Sequence, residues 1–226
     1  ITPADELAMA ESALRDDGEC QVVESNKERQ ESSPLSFDLT TLQRHGSNLW
    51  GWSAKYTMEI AQSLYEEYKL TTYPRTDSRH LPTDMRDSVN ELITELSKQD
   101  DYAEHCQRLT ENGLANSARN FDDAKVSDHY AVIPTGNNPP ANFPAPARQL
   151  YDHITRRFLA SFHPHATWHD AKRVATKNEQ VLTAKASTLK VAGWRAVIPK
   201  PNSAPEGWGV LVTTPCEAEI VAIEVQ

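Results

Sequence analysis

Cysteine is scarce in this 226-residue chain: Cys20, Cys106 and Cys216 lie far apart and form no CxxC pair. That spacing argues against a disulfide framework and a cysteine zinc site. The usage suits a reducing compartment, so a cytoplasmic location is expected. Long apolar runs are also missing. None approaches the roughly 18 residues of a membrane span, and no membrane partner is expected. Glycine is sparse, at 8 against 14 prolines, and no internal repeat is visible. Positive charge is in deficit, with 23 Lys and Arg against 32 Asp and Glu, a net of −9. Phosphate contacts are made largely by Lys and Arg, so this balance argues against a general nucleic-acid binder. The deficit is uneven: residues 1–33 hold nine acids and three bases, whereas residues 169–226 hold six and seven. Local basic clusters therefore coexist with an acidic remainder. There is no GxxxxGK[ST] phosphate loop. The chain opens at Ile1 without Met or a basic-apolar leader, and is expected to be a piece of a longer polypeptide.

What is present fits one large or two small globular domains, with 38% hydrophobic residues. Thr2, Pro3, Asp5 and Glu6 open a helix with Leu7, Ala10 and Leu14 on one face, and Asp16-Asp17-Gly18 stops it. A short strand follows over Gln21 to Ser25, and Glu31-Ser32-Ser33-Pro34 marks a boundary. The middle reads as helical. Ser53 caps a helix with Met58, Ala61, Tyr65 and Tyr68 on one face, and Met85, Val89, Leu92, Ile93 and Leu96 mark another. Leu150, Ile154, Phe158 and Phe162 mark a third. From about Lys172 the period changes to two. Strands are predicted over Val181 to Ser187, Thr188 to Val191, Gly209 to Thr213 and Ala218 to Val225. The early strand and the C-terminal set are expected to share a sheet. The fold class is then α+β, with a mainly helical domain (34–168) inserted into a β-rich domain (1–33 and 169–226).

The chemistry concentrates at a break between helices, Thr71-Thr-Tyr-Pro-Arg-Thr-Asp-Ser78. Pro74 biases Tyr73 towards extended geometry, where residues two apart share a side, so Tyr73 and Arg75 can face one target. A tyrosine hydroxyl titrates near 10 and needs help to act as a nucleophile. A guanidinium beside it can favour the phenolate and hold the oxygens of a phosphodiester. Lys69, Arg79 and His80 add positive charge nearby, while Asp77 and Ser78 can position Arg75 or cap the next turn. Residue chemistry alone favours an ordinary interhelix turn with Tyr73 packed and Arg75 in a surface pair. A second candidate is Asp128-His129-Tyr130-Ala131-Val132-Ile133-Pro134-Thr135, where an imidazole can donate a proton or hold a phosphate oxygen. A third cluster, His163, His165 and His169, has HxH spacing but no convincing further ligand, and reads as structural.

The run LTTYPRTDSRHLP resembles the active-site signature of the type IA DNA topoisomerases. The preceding PLSFDLTTLQRHGSNLWGWSAKYTMEIAQSLYEEYKL is similar to the helical lead-in to that signature, and DDAKVSDHYAVIPTG resembles the family's second active-site segment. Proline after the tyrosine and the SDHYAVIPT form look more like the topoisomerase III branch. One departure is Tyr130, where that branch often has a second histidine. The resemblance implies that Tyr73 is the nucleophile towards single-stranded DNA, forming a 5′-phosphotyrosine link. It implies that Arg75 positions the tyrosine and the scissile phosphate and that His129 contacts that phosphate. Lys55, Asp77 and Ser78 join Arg75 and His129 as expected DNA-contacting residues. It also implies a discontinuous β-rich arch domain around the tyrosine domain. Magnesium would be bound by a Toprim domain that nothing here resembles, so no metal is expected on this chain. The implied partners are single-stranded DNA and the remaining domains of the parent chain.

Overall fold

A computed structural model of the chain describes residues 20–203, together with residues 8–9, 12–13, 208 and the backbone of 216–218. Of the expected opening helix, residues 8–9 and 12–13 are helical. The rest of it, the strand expected over Gly209 to Thr213 and most of that over Ala218 to Val225 lie outside the described residues.

Contacts divide the chain into two compact units, Ile1–Glu31 with Thr167–Val191 and Pro201–Gln226, and Ser32–Ala166 with Ala192–Lys200. The first is a four-stranded sheet of β1 (Cys20–Glu31), β2 (Ala166–Lys177), β3 (Gln180–Val191) and β4 (Cys216–Ala218), ordered β3-β2-β1-β4. The N-terminal strand thus shares a sheet with the C-terminal set. β2 and β3 form an antiparallel hairpin in which Lys177 faces Gln180. Its two-residue turn places Asn178 and Glu179 at φ 47 and 67, the left-handed pair that matches the twist of the flanking strands. The two strands expected over 181–191 are therefore one, because Ser187 and Thr188 simply continue the ladder. β1 also runs six residues past Ser25. Its Glu24, Lys27, Glu28 and Arg29 read as polar in sequence but lie along a sheet.

The second unit is helical. Its described helices are α1 (Leu39–Trp50), α2 (Ala54–Glu66), α3 (Arg86–Leu96), α4 (Asp100–Asn112), the single turn α5 (Ser117–Asn120) and α6 (Ala145–Phe162). Asp38 caps α1 reciprocally: Thr41 N–H donates to its carboxylate at 2.6 Å, and the Thr41 hydroxyl accepts from Asp38 N–H at 3.1 Å. Ser53 caps α2 by accepting from Tyr56 N–H at 3.1 Å. Helix α6 is the spine. Leu150, Ile154, Phe158 and Phe162 are fully buried, and so are Tyr151 and Leu159 on its other faces. Helices α2, α4 and α5 pack on it. Helix α1 lies so close to α2 that a Cβ on Gly46 would stand 2.7 Å from the Thr57 hydroxyl. The segment Ala192–Lys200 belongs to this unit rather than to the sheet, because Trp194 and Val197 are buried and Trp194 N–H donates to Pro164 O at 2.9 Å.

Candidate active site

Helix α2 ends at Glu66, and after Lys69 the chain becomes an extended strap over residues 71–80. Lys69 itself sits at φ 56, a costly region for a lysine. Its carbonyl is held by two donors, the Thr135 hydroxyl at 2.7 Å and the Asn137 amide at 2.8 Å. Along the strap burial alternates. Pro74, Thr76 and Ser78 are buried, Tyr73 is half-buried, and Arg75 and Asp77 are exposed. This is the period of an extended chain, so Tyr73, Arg75 and Asp77 share the open side while the residues between them anchor inward.

Two further segments grip the strap. Thr72 N–H donates to Ile133 O at 2.9 Å, and the Thr72 hydroxyl donates to Ala131 O at 2.9 Å while accepting from Ile133 N–H at 3.0 Å. The Thr76 hydroxyl donates to His129 O at 2.9 Å. The buried run Ala131 to Pro134 is thereby laid along the strap. On the other side Leu39 N–H donates to Thr76 O at 3.0 Å, and Arg79 Nε donates to Ser36 O at 3.2 Å.

These bonds bring the two sequence motifs together. The rings of Tyr73 and His129 lie 4.4 Å apart between centroids, inclined at 47°. Tyr65 of α2 meets Tyr73 edge-on at 5.4 Å, and the Lys69 ammonium stands 5.8 Å from the Tyr65 ring. A cleft of about 330 Å³ opens here, lined by Tyr65, Tyr73, His129, Tyr130 and Thr135 among others. Among the described residues neither the Tyr73 hydroxyl nor the Arg75 guanidinium has a hydrogen-bond or ion-pair partner. Both remain available to a ligand. His80 ends the strap, and its pKa lies below the ordinary value through burial and then the nearby Lys125.

The other candidates occupy different places. Asp77 accepts from the Ser127 hydroxyl at 3.2 Å, and the Ser78 hydroxyl donates to Lys125 O at 2.7 Å. Both tie the strap to the segment before His129, and neither contacts Arg75. Lys55 is exposed on the first turn of α2 and lies 3.8 Å from Glu59. It is ten residues from Tyr65 on one helix, roughly 15 Å at 1.5 Å per residue. The three histidines of the HxH region part company. His163 is buried beside His105, His165 Nδ1 accepts from Ser33 N–H at 3.4 Å, and His169 meets the Asn26 side chain at 3.0 Å. Among the described residues no three His, Cys, Asp or Glu side chains converge as a metal site. Reading the sequence missed Tyr65, Thr72 and Thr76. Tyr65 was placed only on a helical face, and the threonines act on carbonyls far away in sequence.

The site thus joins a tyrosine on an extended strap, an exposed arginine two residues on with no hydrogen-bond or ion-pair partner among the described residues, and a histidine ring from a distant loop. The family model of DNA topoisomerases matches residues 2–217, and the chain belongs to that family, in its type IA class. It is 37% identical over 166 residues to DNA topoisomerase 3 of Bacillus subtilis, and 40% identical over 167 residues to that of Bacillus licheniformis. Each match covers 73% of this chain and 23% of the relative, so the chain spans about a quarter of the length of those proteins. The full-length topoisomerase I from Thermotoga maritima shares the fold, with a TM-score of 0.66 at 21% identity over 97% of this chain and 35% of that one.

Proposed function

We propose that this chain is the central part of a type IA topoisomerase and that Tyr73 is the nucleophile of the parent enzyme. In the proposed step the Tyr73 oxygen bonds to the phosphorus of a single-stranded DNA phosphodiester, and the bond from phosphorus to the 3′ oxygen breaks. The phenol gives up its proton and the departing 3′ oxygen gains one. Religation reverses the exchange. The number of phosphate ester bonds is conserved, so strand passage through the gap relaxes or decatenates DNA without ATP. Arg75, exposed two residues on and without a partner, holds the non-bridging oxygens as charge builds on them. His129 borders Tyr73 from the facing loop, where its imidazole can bond to the same phosphate.

The observation that carries this reading is the apposition of Tyr73 and His129 at 4.4 Å between ring centroids. The magnesium implied by the resemblance does not fit the described residues, since no acidic or histidine cluster stands among them. No step here is routed through it. In this reading the sheet unit is part of the arch, the Toprim domain lies elsewhere in the parent, and the 226-residue chain alone neither cleaves nor relaxes DNA. Cleavage of a single-stranded oligonucleotide by the pure chain with magnesium would contradict that last statement.

The test is covalent trapping with the full-length parent, magnesium and single-stranded DNA labelled at its 3′ end, comparing wild type with Tyr73→Phe. A labelled adduct in the wild type alone establishes the nucleophile. An adduct in both proteins assigns the chemistry to another residue, and in neither it makes the chain a non-catalytic scaffold.

A further inference from the structure

The sheet unit carries a concentration of charge that the tyrosine site does not use. Lys172 of β2 and Lys185 of β3 are direct cross-strand partners. Like charges facing one another on a sheet are destabilising. Both are exposed, and with Lys27 of β1 they line one cleft of about 510 Å³. Neighbouring strands lie about 4.8 Å apart, so the row crosses roughly 10 Å of sheet.

Nearby cations are matched. Arg29 bonds to Asp170 at 2.6 Å, Arg173 to Glu24 at 2.7 Å, and Lys190 to Glu28. Asp170 is the one acid lining the cleft among the described residues, and it also accepts from the Ser187 hydroxyl at 2.6 Å. Among the described residues Lys27, Lys172 and Lys185 have no carboxylate partner. In a chain of net charge −9 such a row stands out as a positive strip.

We propose that this row binds the phosphate backbone of double-stranded DNA without reading its sequence. A polyanion relieves the repulsion that the facing lysines impose, and the Asn26 amide on the cleft wall, which gives one N–H to Glu24 at 3.1 Å, has a second to donate to a phosphate oxygen. Among the described residues no aromatic side chain lines the cleft, which there offers no stacking platform for unpaired bases. The choice of DNA as the polyanion rests on the family reading above, whereas the charge geometry stands without it.

The experiment measures binding of a short labelled duplex, and of one of its single strands, to the chain across a salt series. Lys27→Ala/Lys172→Ala/Lys185→Ala is compared with wild type and with Lys98→Ala, which removes an exposed lysine bridged to Glu95. Duplex affinity is expected to fall at least tenfold in the triple variant alone. The slope of log affinity against log salt should become shallower by about 2 to 3, near 0.9 per lost phosphate contact. Lys185→Glu guards against misfolding: it pairs with Lys172, so it should melt no lower than wild type yet bind duplex more weakly. Unchanged duplex binding in these variants, or a loss confined to the single strand, overturns the proposal. A failure of Tyr73→Phe to abolish the adduct, with the lysine effect intact, would remove the catalytic reading and leave this one standing.

Discussion

The Thr76 hydroxyl donates to the His129 carbonyl and lies 3.0 Å from Ser78 N–H, which donates to it, so one side chain joins the strap to the histidine loop. Thr76→Val keeps the shape and removes both bonds. The expected cost is about 1–3 kcal/mol, because the Ser78 donor is buried and loses its acceptor. Urea titration measures that cost, and adduct formation in the parent should fall with it as His129 loses its tether. Arg75→Ala should separate the two quantities. An exposed, unpartnered side chain contributes within about ±0.5 kcal/mol to stability, so the melt should stay put. If Arg75 stabilises charge on the phosphate, the rate of adduct formation should drop about 10²–10³-fold, the usual effect of losing one oxyanion donor. The extended geometry that turns Tyr73 and Arg75 to one side was legible in sequence, because Pro74 biases the residue before it away from the helical region. The threonines were not, because a hydroxyl's role depends on which distant carbonyl the fold delivers to it.

At the level of elements, helices with dense apolar stripes announced themselves. Leu150, Ile154, Phe158 and Phe162 repeat every four residues, and α6 is found around them. Helix α4 was missed because it buries only Tyr102, Cys106 and Leu109 among thirteen residues, too thin a stripe to stand out from its polar neighbours. Strand β2 has no counterpart among the expected C-terminal strands, which begin at Val181, since Trp168 and Ala171 are buried on both sides of an otherwise polar run. Close approach of elements is beyond any one-dimensional pattern. Gly46 reads as a helix weakener, yet it lets α1 lie against Thr57. Gly46→Ala should therefore destabilise by about 1–3 kcal/mol despite alanine's better helix propensity, and thermal melting checks the sign. On the sheet, Lys185→Glu should raise stability by up to about 1 kcal/mol by turning a like-charge pair into an opposite one.

For the whole molecule, acid should act through histidines of the helical unit. His45 is pushed down to about 4 by burial, then by His153 and Arg157, and its Nε2 lies 2.8 Å from His153 Nδ1. His163 is likewise pushed down to about 4, by burial and then by His105. His153 and His105 are also lowered, each chiefly by burial. A histidine whose pKa is depressed on folding binds more protons when unfolded, so stability is complete above about pH 6.5 and falls as pH drops towards 4. The loss is on the order of 3 kcal/mol at most for each of His45 and His163. Melting at pH 7 and pH 4.5 measures it, and His163→Asn should narrow the difference. Trp50 sits edge-on to both His45 and His153, so its fluorescence should report the change directly. A melt independent of pH over this window would contradict the buried neutral histidines.

The strap also has a mechanical meaning. If, as proposed, a DNA end becomes attached to Tyr73, any tension in that strand is delivered to residues 72–76. Thr72 ties this stretch to the 131–133 segment, and Thr76 ties it to His129 on one side and Leu39 on the other. A pull along the strap loads those bonds side by side in shear, so none has to yield before the others share the force. On the proposed chemistry, an attached end would be moored to the body of the helical unit, rather than to a loop that could trail away and misplace it for rejoining.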